Sequence, residues 1–134
     1  VCDFIRTRAR TLIYSTGLPP ASVAAAIAAL DLIEEDPDFA GSAVRKAALF
    51  ARALNLPAPE SPIVPLILGE ADATLKASAL LDAEGFLVTA IRPPTVPEGT
   101  ARLRFTFTAE HRDEDILRLA GLVRERILPR HAAE

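Results

Sequence analysis

Two stretches of this chain carry residue types whose chemistry outruns scaffolding. The first is AIRPPTVPEGTARLRF, residues 90–105, which sets Arg92 and Thr95 in a loop with three prolines and one glycine between two apolar runs. Each proline lacks an N–H and fixes its own φ, which excludes a helix, and each biases the residue before it toward extended geometry. The product is a stiff loop that presents Arg92 with little freedom left to lose. An arginine fork can grip a carboxylate through two parallel hydrogen bonds, so the loop reads as a carboxylate clamp. The plainer reading is that Arg92 caps a strand end or pairs with a nearby Asp or Glu. The second stretch is Tyr14, Ser15 and Thr16, just ahead of Pro19 and Pro20. Hydroxyls and free N–H groups at a helix start make an anion site. Ser15 or Thr16 can equally be a simple helix cap.

Other chemistries find no support. One cysteine and two distant histidines, His111 and His131, do not make a metal-ligand pattern. No phosphate-cradling glycine loop and no nucleophile elbow occurs. His111 precedes a helix, where it caps or packs. The carboxylates Glu34–Glu35 and Asp113, Glu114 and Asp115 fall at helix ends and read as solvated charge. Arg6, Arg8 and Arg10 read as cations at a helix C-terminus.

The elements that must position these residues follow from periodicity. Residues 1–10 read as helical and TLIYSTG as extended. Proline suits a first helical turn, and Val23, Ala26, Ile27, Leu30 and Ile33 then recur at helical spacing to about Glu35. Asp36–Pro37 breaks that helix, and a second carries Ala40, Val44, Ala47, Ala51 and Leu54 up to Leu56–Pro57. Residues 63–68 form an apolar strand that Pro65 demotes to an edge. Residues 71–84 form a helix with Ala73, Ala77, Leu80 and Leu81 on one stripe, stopped by Gly85. Residues 86–91 and 102–107 are further strands, the latter alternating Leu103, Phe105 and Phe107 against Arg102, Arg104 and Thr106. A last helix carries Ile116, Leu119, Val123 and Ile127. A right-handed crossover between the first two strands leaves room for the third between them. The expected fold is therefore α/β, an α+β small domain: a three-stranded, mostly antiparallel sheet with helices on one face and residues 102–107 central. Residues 1–57 are expected to be a connecting segment with interdomain helices, and residues 58–134 the βαββα domain.

At 134 residues, half of them hydrophobic and a quarter charged, the composition is that of an ordinary globular chain. A net charge of −3 argues against a nucleic-acid partner. No apolar run approaches the ~20 residues that span a bilayer. The single Cys2 fits a reducing compartment, so the expected location is cytoplasmic, with Cys2 as a small apolar filler. The chain holds no methionine and opens on VCDFIRTRAR, which reads as the middle of an element. It is expected to be a piece of a longer protein.

Taken together, RARTLIYSTGLPP (residues 8–20), IRPPTVPEGTARLRF (residues 91–105) and TAEH (residues 108–111) resemble the α-oxoamine synthases over essentially the whole chain. The IRPPTVP…GTARLR string is the specific part, and is nearest the biotin-pathway member. The resemblance implies a pyridoxal 5'-phosphate enzyme of the aspartate-aminotransferase fold, of which this chain is the C-terminal portion. It implies a homodimer that joins L-alanine to a pimeloyl thioester, on coenzyme A or a carrier protein, with decarboxylation to 8-amino-7-oxononanoate. It places Arg92 on the amino-acid carboxylate, Thr95 in the same pocket, and Ser15 and Thr16 on the cofactor phosphate. The family's Schiff-base lysine, stacking histidine and cofactor-pairing aspartate have no match here, since Lys46 and Lys76 lie on amphipathic helices. No catalytic residue and no metal ligand is expected in this chain, which alone should be inactive. Two alternatives are a relative that uses glycine or serine and a stand-alone ligand-binding or interaction module.

Overall fold

The computed structural model describes residues 1–10 and 17–128, apart from the side chain of Ala40. The chain divides into two compact units, Val1–Pro37 and Asp38–Glu134. The first holds α1 (Cys2–Arg8) and α2 (Pro20–Glu35), the latter opened by proline at its first turn. None of its described residues is buried. The stripe of Val23, Ile27, Leu30 and Ile33 is therefore exposed, and α2 is so rich in alanine and leucine that its apolar residues do not confine themselves to one side. Cys2 is also exposed, against the expectation of an apolar filler, because a seven-residue helix has too little surface to enclose a side chain.

The second unit is built on a sheet of β1 (Ile63–Gly69), β2 (Thr89–Ile91) and β3 (Ala101–Thr106). The strand order is β1-β3-β2, with β3 central and both pairings antiparallel. Pro65 sits on the β1 edge, where its missing N–H costs no ladder bond on the open side. Alternation divides the sheet as the sequence implies. Val64, Leu66 and Leu68 of β1 and Leu103 and Phe105 of β3 point into the core.

That core is closed by α4 (Ala71–Ala83), α5 (Asp113–Arg126) and α3 (Pro37–Ala53). From α5, Ile116, Leu119, Val123 and the following Ile127 are all buried. From α4 come Ala77 and Leu81, together with Thr74, whose hydroxyl satisfies itself on the Glu70 carbonyl at 2.7 Å. From α3 comes Phe50, fully buried, with its ring 4.6 Å from that of Phe105 and 5.2 Å from that of Phe107. Grouping residues 1–57 as a connecting segment separates α3 from the sheet. In the structure α3 shares the sheet's core, and the compact units divide after Pro37.

Both α3 and α4 end on a residue in the left-handed region, Asn55 (φ 56) and Gly85 (φ 86). In each case an N–H beyond the helix reaches back five residues: Leu56 to the Ala51 carbonyl at 2.9 Å, Phe86 to the Leu81 carbonyl at 2.8 Å. The second of these shortens β2, expected from residue 86 but observed only from Thr89. Phe86 completes the cap, and the Val88 carbonyl accepts from Ser78 Oγ at 2.6 Å, so residues 86–88 do not join the ladder.

Candidate functional site

Arg92 follows directly on β2, whose last residue, Ile91, lies opposite Arg102 of β3. The loop beyond it is made of two hydrogen-bonded turns. Thr95 N–H donates to the Arg92 carbonyl at 3.1 Å, closing a four-residue turn that contains the cis Pro93–Pro94 bond. Thr100 donates from both its N–H and its hydroxyl to the Pro97 carbonyl, at 3.2 and 2.8 Å. Gly99 takes a φ of 72°, which a side chain would resist. Arg102 Nε then ties the loop to the sheet through the Thr100 carbonyl at 3.0 Å. A Cβ placed on Gly69 would meet the Gly99 carbonyl at 3.6 Å, so the loop also rests against the end of β1.

The guanidinium of Arg92 is exposed and has no hydrogen-bond or ion-pair partner among the described residues. Of the two plainer alternatives, a pairing with a nearby acid is absent among the described residues, while Arg92 does stand at a strand end, directly after β2. Thr95 is exposed in the same turn. The sheet adds a residue that sequence reasoning assigned no role. Register sets Arg104 opposite Thr89 on one side and Pro65 on the other, two pairs along from Arg102 and on the same face. Arg104 is exposed, and it too has no partner among the described residues. The open face of the sheet therefore reads Ile67, Arg102, Ile91 in one row and Pro65, Arg104, Thr89 in the next. Arg102 and Arg104 face no carboxylate among the described residues, and Arg102 also adjoins the loop that bears Arg92, so this face of the sheet suits an anionic ligand. The alternation Arg102, Arg104, Thr106 showed which face these residues take. It did not show that Arg102 stands opposite Ile91, the residue just before Arg92.

The remaining sequence candidates are placed as follows. Ser15 and Thr16 lie outside the described residues. Lys46 Nζ donates to Asp113 Oδ1 at 2.6 Å and holds α3 to the start of α5. Lys76 is exposed on α4. His111 caps a turn, accepting from the Thr108 N–H at Nδ1 (2.9 Å) with its ring edge-on to Phe107. Arg112 grips Asp115 through two bonds, at 2.9 and 3.2 Å, and that hydrogen-bonded cation holds the Asp115 carboxyl below the usual carboxylate range. Among the described residues no helix is long and apolar enough to cross a membrane.

A three-stranded antiparallel sheet with helices on one face, a proline-stiffened loop and an arginine at its mouth define a class. The chain belongs to the aminotransferase class I and II family, whose profile matches residues 1–123. Among curated proteins it is 74% identical over its whole length to a protein of Parvibaculum lavamentivorans provisionally named 8-amino-7-oxononanoate synthase. It is 60% identical over 125 residues, 93% of the chain, to the 8-amino-7-oxononanoate synthase of Methylocella silvestris. The chain spans about a third of the length of these relatives, 34% and 36%. Among solved structures, the 8-amino-7-oxononanoate synthase of Francisella tularensis matches with a TM-score of 0.76 at 23% identity, over 97% of this chain and 39% of that one. A serine palmitoyltransferase of Sphingomonas wittichii matches with a TM-score of 0.78 at 22% identity, over 98% and 35%. These two establish the fold that the sequence resemblance implied.

Proposed function

We propose that the protein carrying this chain is a pyridoxal 5'-phosphate-dependent acyltransferase. It condenses L-alanine with a pimeloyl thioester, with decarboxylation, to 8-amino-7-oxononanoate in biotin biosynthesis, as a cytoplasmic homodimer. The observation that carries this reading is the agreement between identity across the whole chain and an arginine left free on a rigid loop.

In this reading Arg92 receives the α-carboxylate of alanine. Its loop is held by its own turns, so the fork meets the substrate with its orientation already restricted. Thr95 lines the same pocket. Arg102 and Arg104 raise the local positive potential and draw an acid toward the sheet face. Holding the carboxylate fixes the direction of the Cα–H bond, which decides which bond is open to proton removal.

Bound pyridoxal phosphate supplies the electron sink for that proton loss. The described residues suit the amino acid rather than the cofactor's aldehyde. Lys46 is committed to Asp113, and Lys76 stands on α4 rather than in the loop. Ser15 and Thr16 are proposed for the cofactor phosphate on the resemblance alone.

The test is steady-state kinetics of the full-length protein with Arg92 replaced by Ala and by Lys. A charge-assisted hydrogen bond is worth about 1.5–3 kcal/mol. The Arg92→Ala variant should therefore lose roughly 10- to 150-fold in kcat/KM for alanine, at ~1.4 kcal/mol per factor of ten. The KM for the thioester should hardly move. Arg92→Lys should recover only part of the loss, because a point charge lacks the fork. Unchanged alanine kinetics with a lowered Tm would return Arg92 to the scaffold. Preference for glycine or serine over alanine would refute the substrate and leave the clamp standing.

A further inference from the structure

At the other end of β3 from the Arg92 loop lies a cavity of about 550 Å³. It exists because the ladder with β2 ends at the Thr89–Arg104 pair, so the last residues of β3 have no strand on that side. Its volume falls within the roughly 300–1,000 Å³ range of small-molecule sites. Phe105, Ile116 and Leu119 contribute to an apolar floor, and residues 85–88 form one wall. On that wall Leu87 is 93% exposed, a large apolar side chain standing in solvent beside an apolar floor.

The rim carries donors. The Thr108 N–H donates to His111 Nδ1, which leaves Nε2 to carry the ring's N–H as a donor. Arg118 lies 4.9 Å over the Phe86 ring and donates from Nη2 to the Glu84 carbonyl at 3.0 Å. Its other N–H groups have no hydrogen-bond partner among the described residues. The Glu84 carboxylate is shared between Arg118, at 3.8 Å, and Arg126, at 2.6 Å, so two cations face one anion and positive charge remains. The rim carboxylate, Asp115, is held by two hydrogen bonds from Arg112 and also feels the charges of Arg118 and His111, so a ligand anion would share these cations with it.

An apolar floor with a cation and an N–H donor on its edge complements a molecule that is apolar at one end and anionic at the other. We propose that this cavity binds a medium-chain aliphatic carboxylate, its head group on Arg118 and His111 and its chain along Phe86, Leu87 and Leu119. The site is separate from the amino-acid clamp and does not depend on the function proposed above.

Hydrogen exchange of the full-length protein, read by mass spectrometry with and without octanoate, tests this. Octanoate should slow exchange saturably in peptides covering residues 85–89 and 105–119. Octanol, which has the tail without the charge, should act at least tenfold more weakly, and acetate, the head without the tail, should have no effect. Arg118→Gln and Leu87→Asp should each raise the half-saturating concentration at least tenfold. Leu87 is exposed in this chain; circular dichroism checks that each variant is folded, and a folded Leu87→Asp decides the matter if the Arg118 variant unfolds. Protection found only elsewhere, equal protection by octanol, or unchanged octanoate binding in Leu87→Asp would overturn the assignment.

Discussion

Replacing Phe50 by alanine asks whether α3 belongs to the sheet's core. The side chain is 0% exposed and its ring meets two others, Phe105 at 4.6 Å and Phe107 at 5.2 Å, both tilted. Truncating a buried phenylalanine costs about 3–5 kcal/mol, from lost transfer energy and the cavity left behind. Two ring contacts, each worth about 0.5–1.5 kcal/mol beyond area, put this site in the upper part of that range. A loss of ~4 kcal/mol, at a urea dependence of about 1–3 kcal/mol per molar, moves the unfolding midpoint by more than ~1 M. That is a large share of the ~5–15 kcal/mol that holds a domain together. The assay is urea unfolding of the chain followed by circular dichroism. Phe105→Ala and the double variant should run alongside it. Residues in contact give a coupling energy of about 0.5–3 kcal/mol in such a cycle. A loss below ~1 kcal/mol for Phe50→Ala, or additive losses in the pair, would show that α3 is not packed on β3 and that the core is wrongly described.

Three further outcomes are expected. Gly85→Ala should destabilise by about 1–2 kcal/mol, purely from the left-handed backbone, because a Cβ there meets nothing within 4 Å; an unchanged urea midpoint would refute this. The Asp115 carboxyl should titrate below its ordinary value because Arg112 bonds the charged form. Its folded-state value is depressed, so its contribution to stability is present above the unfolded value and is lost as pH falls through the folded one. Carbon-detected NMR titration should show Arg112→Ala returning the midpoint upward, and no movement would exclude the cause. Mixed with pyridoxal phosphate and borohydride, the chain should show no stoichiometric trapping at Lys46 or Lys76, and a peptide map with one modified lysine per chain would contradict this.

Local patterns determined much of this protein before any contact was known. Leu103, Phe105 and Phe107 alternate with polar residues, and a period of two has one structural meaning. Pro65 announced an edge, and Gly85 marked a helix end. The prolines around Arg92 restricted its loop through φ alone, so the candidate clamp was legible from residue types and spacing. What periodicity cannot carry is the identity of the neighbour. The stripe on α3 showed an apolar face but not which layer it joins, and only packing placed Phe50 between Phe105 and Phe107. The length of β2 was decided by the cap on α4, where hydrogen bonds to Leu81 and from Ser78 took residues 86–88 out of the sheet. The same stripe logic on α2 left its apolar residues exposed, because a helical period says nothing about what covers it. Arg102 lies ten residues along the chain from Arg92 but stands at the same end of one sheet, opposite Ile91. That neighbourhood is set by antiparallel register, which brings β2 and β3 side by side, and register is a property of the folded pair rather than of either strand.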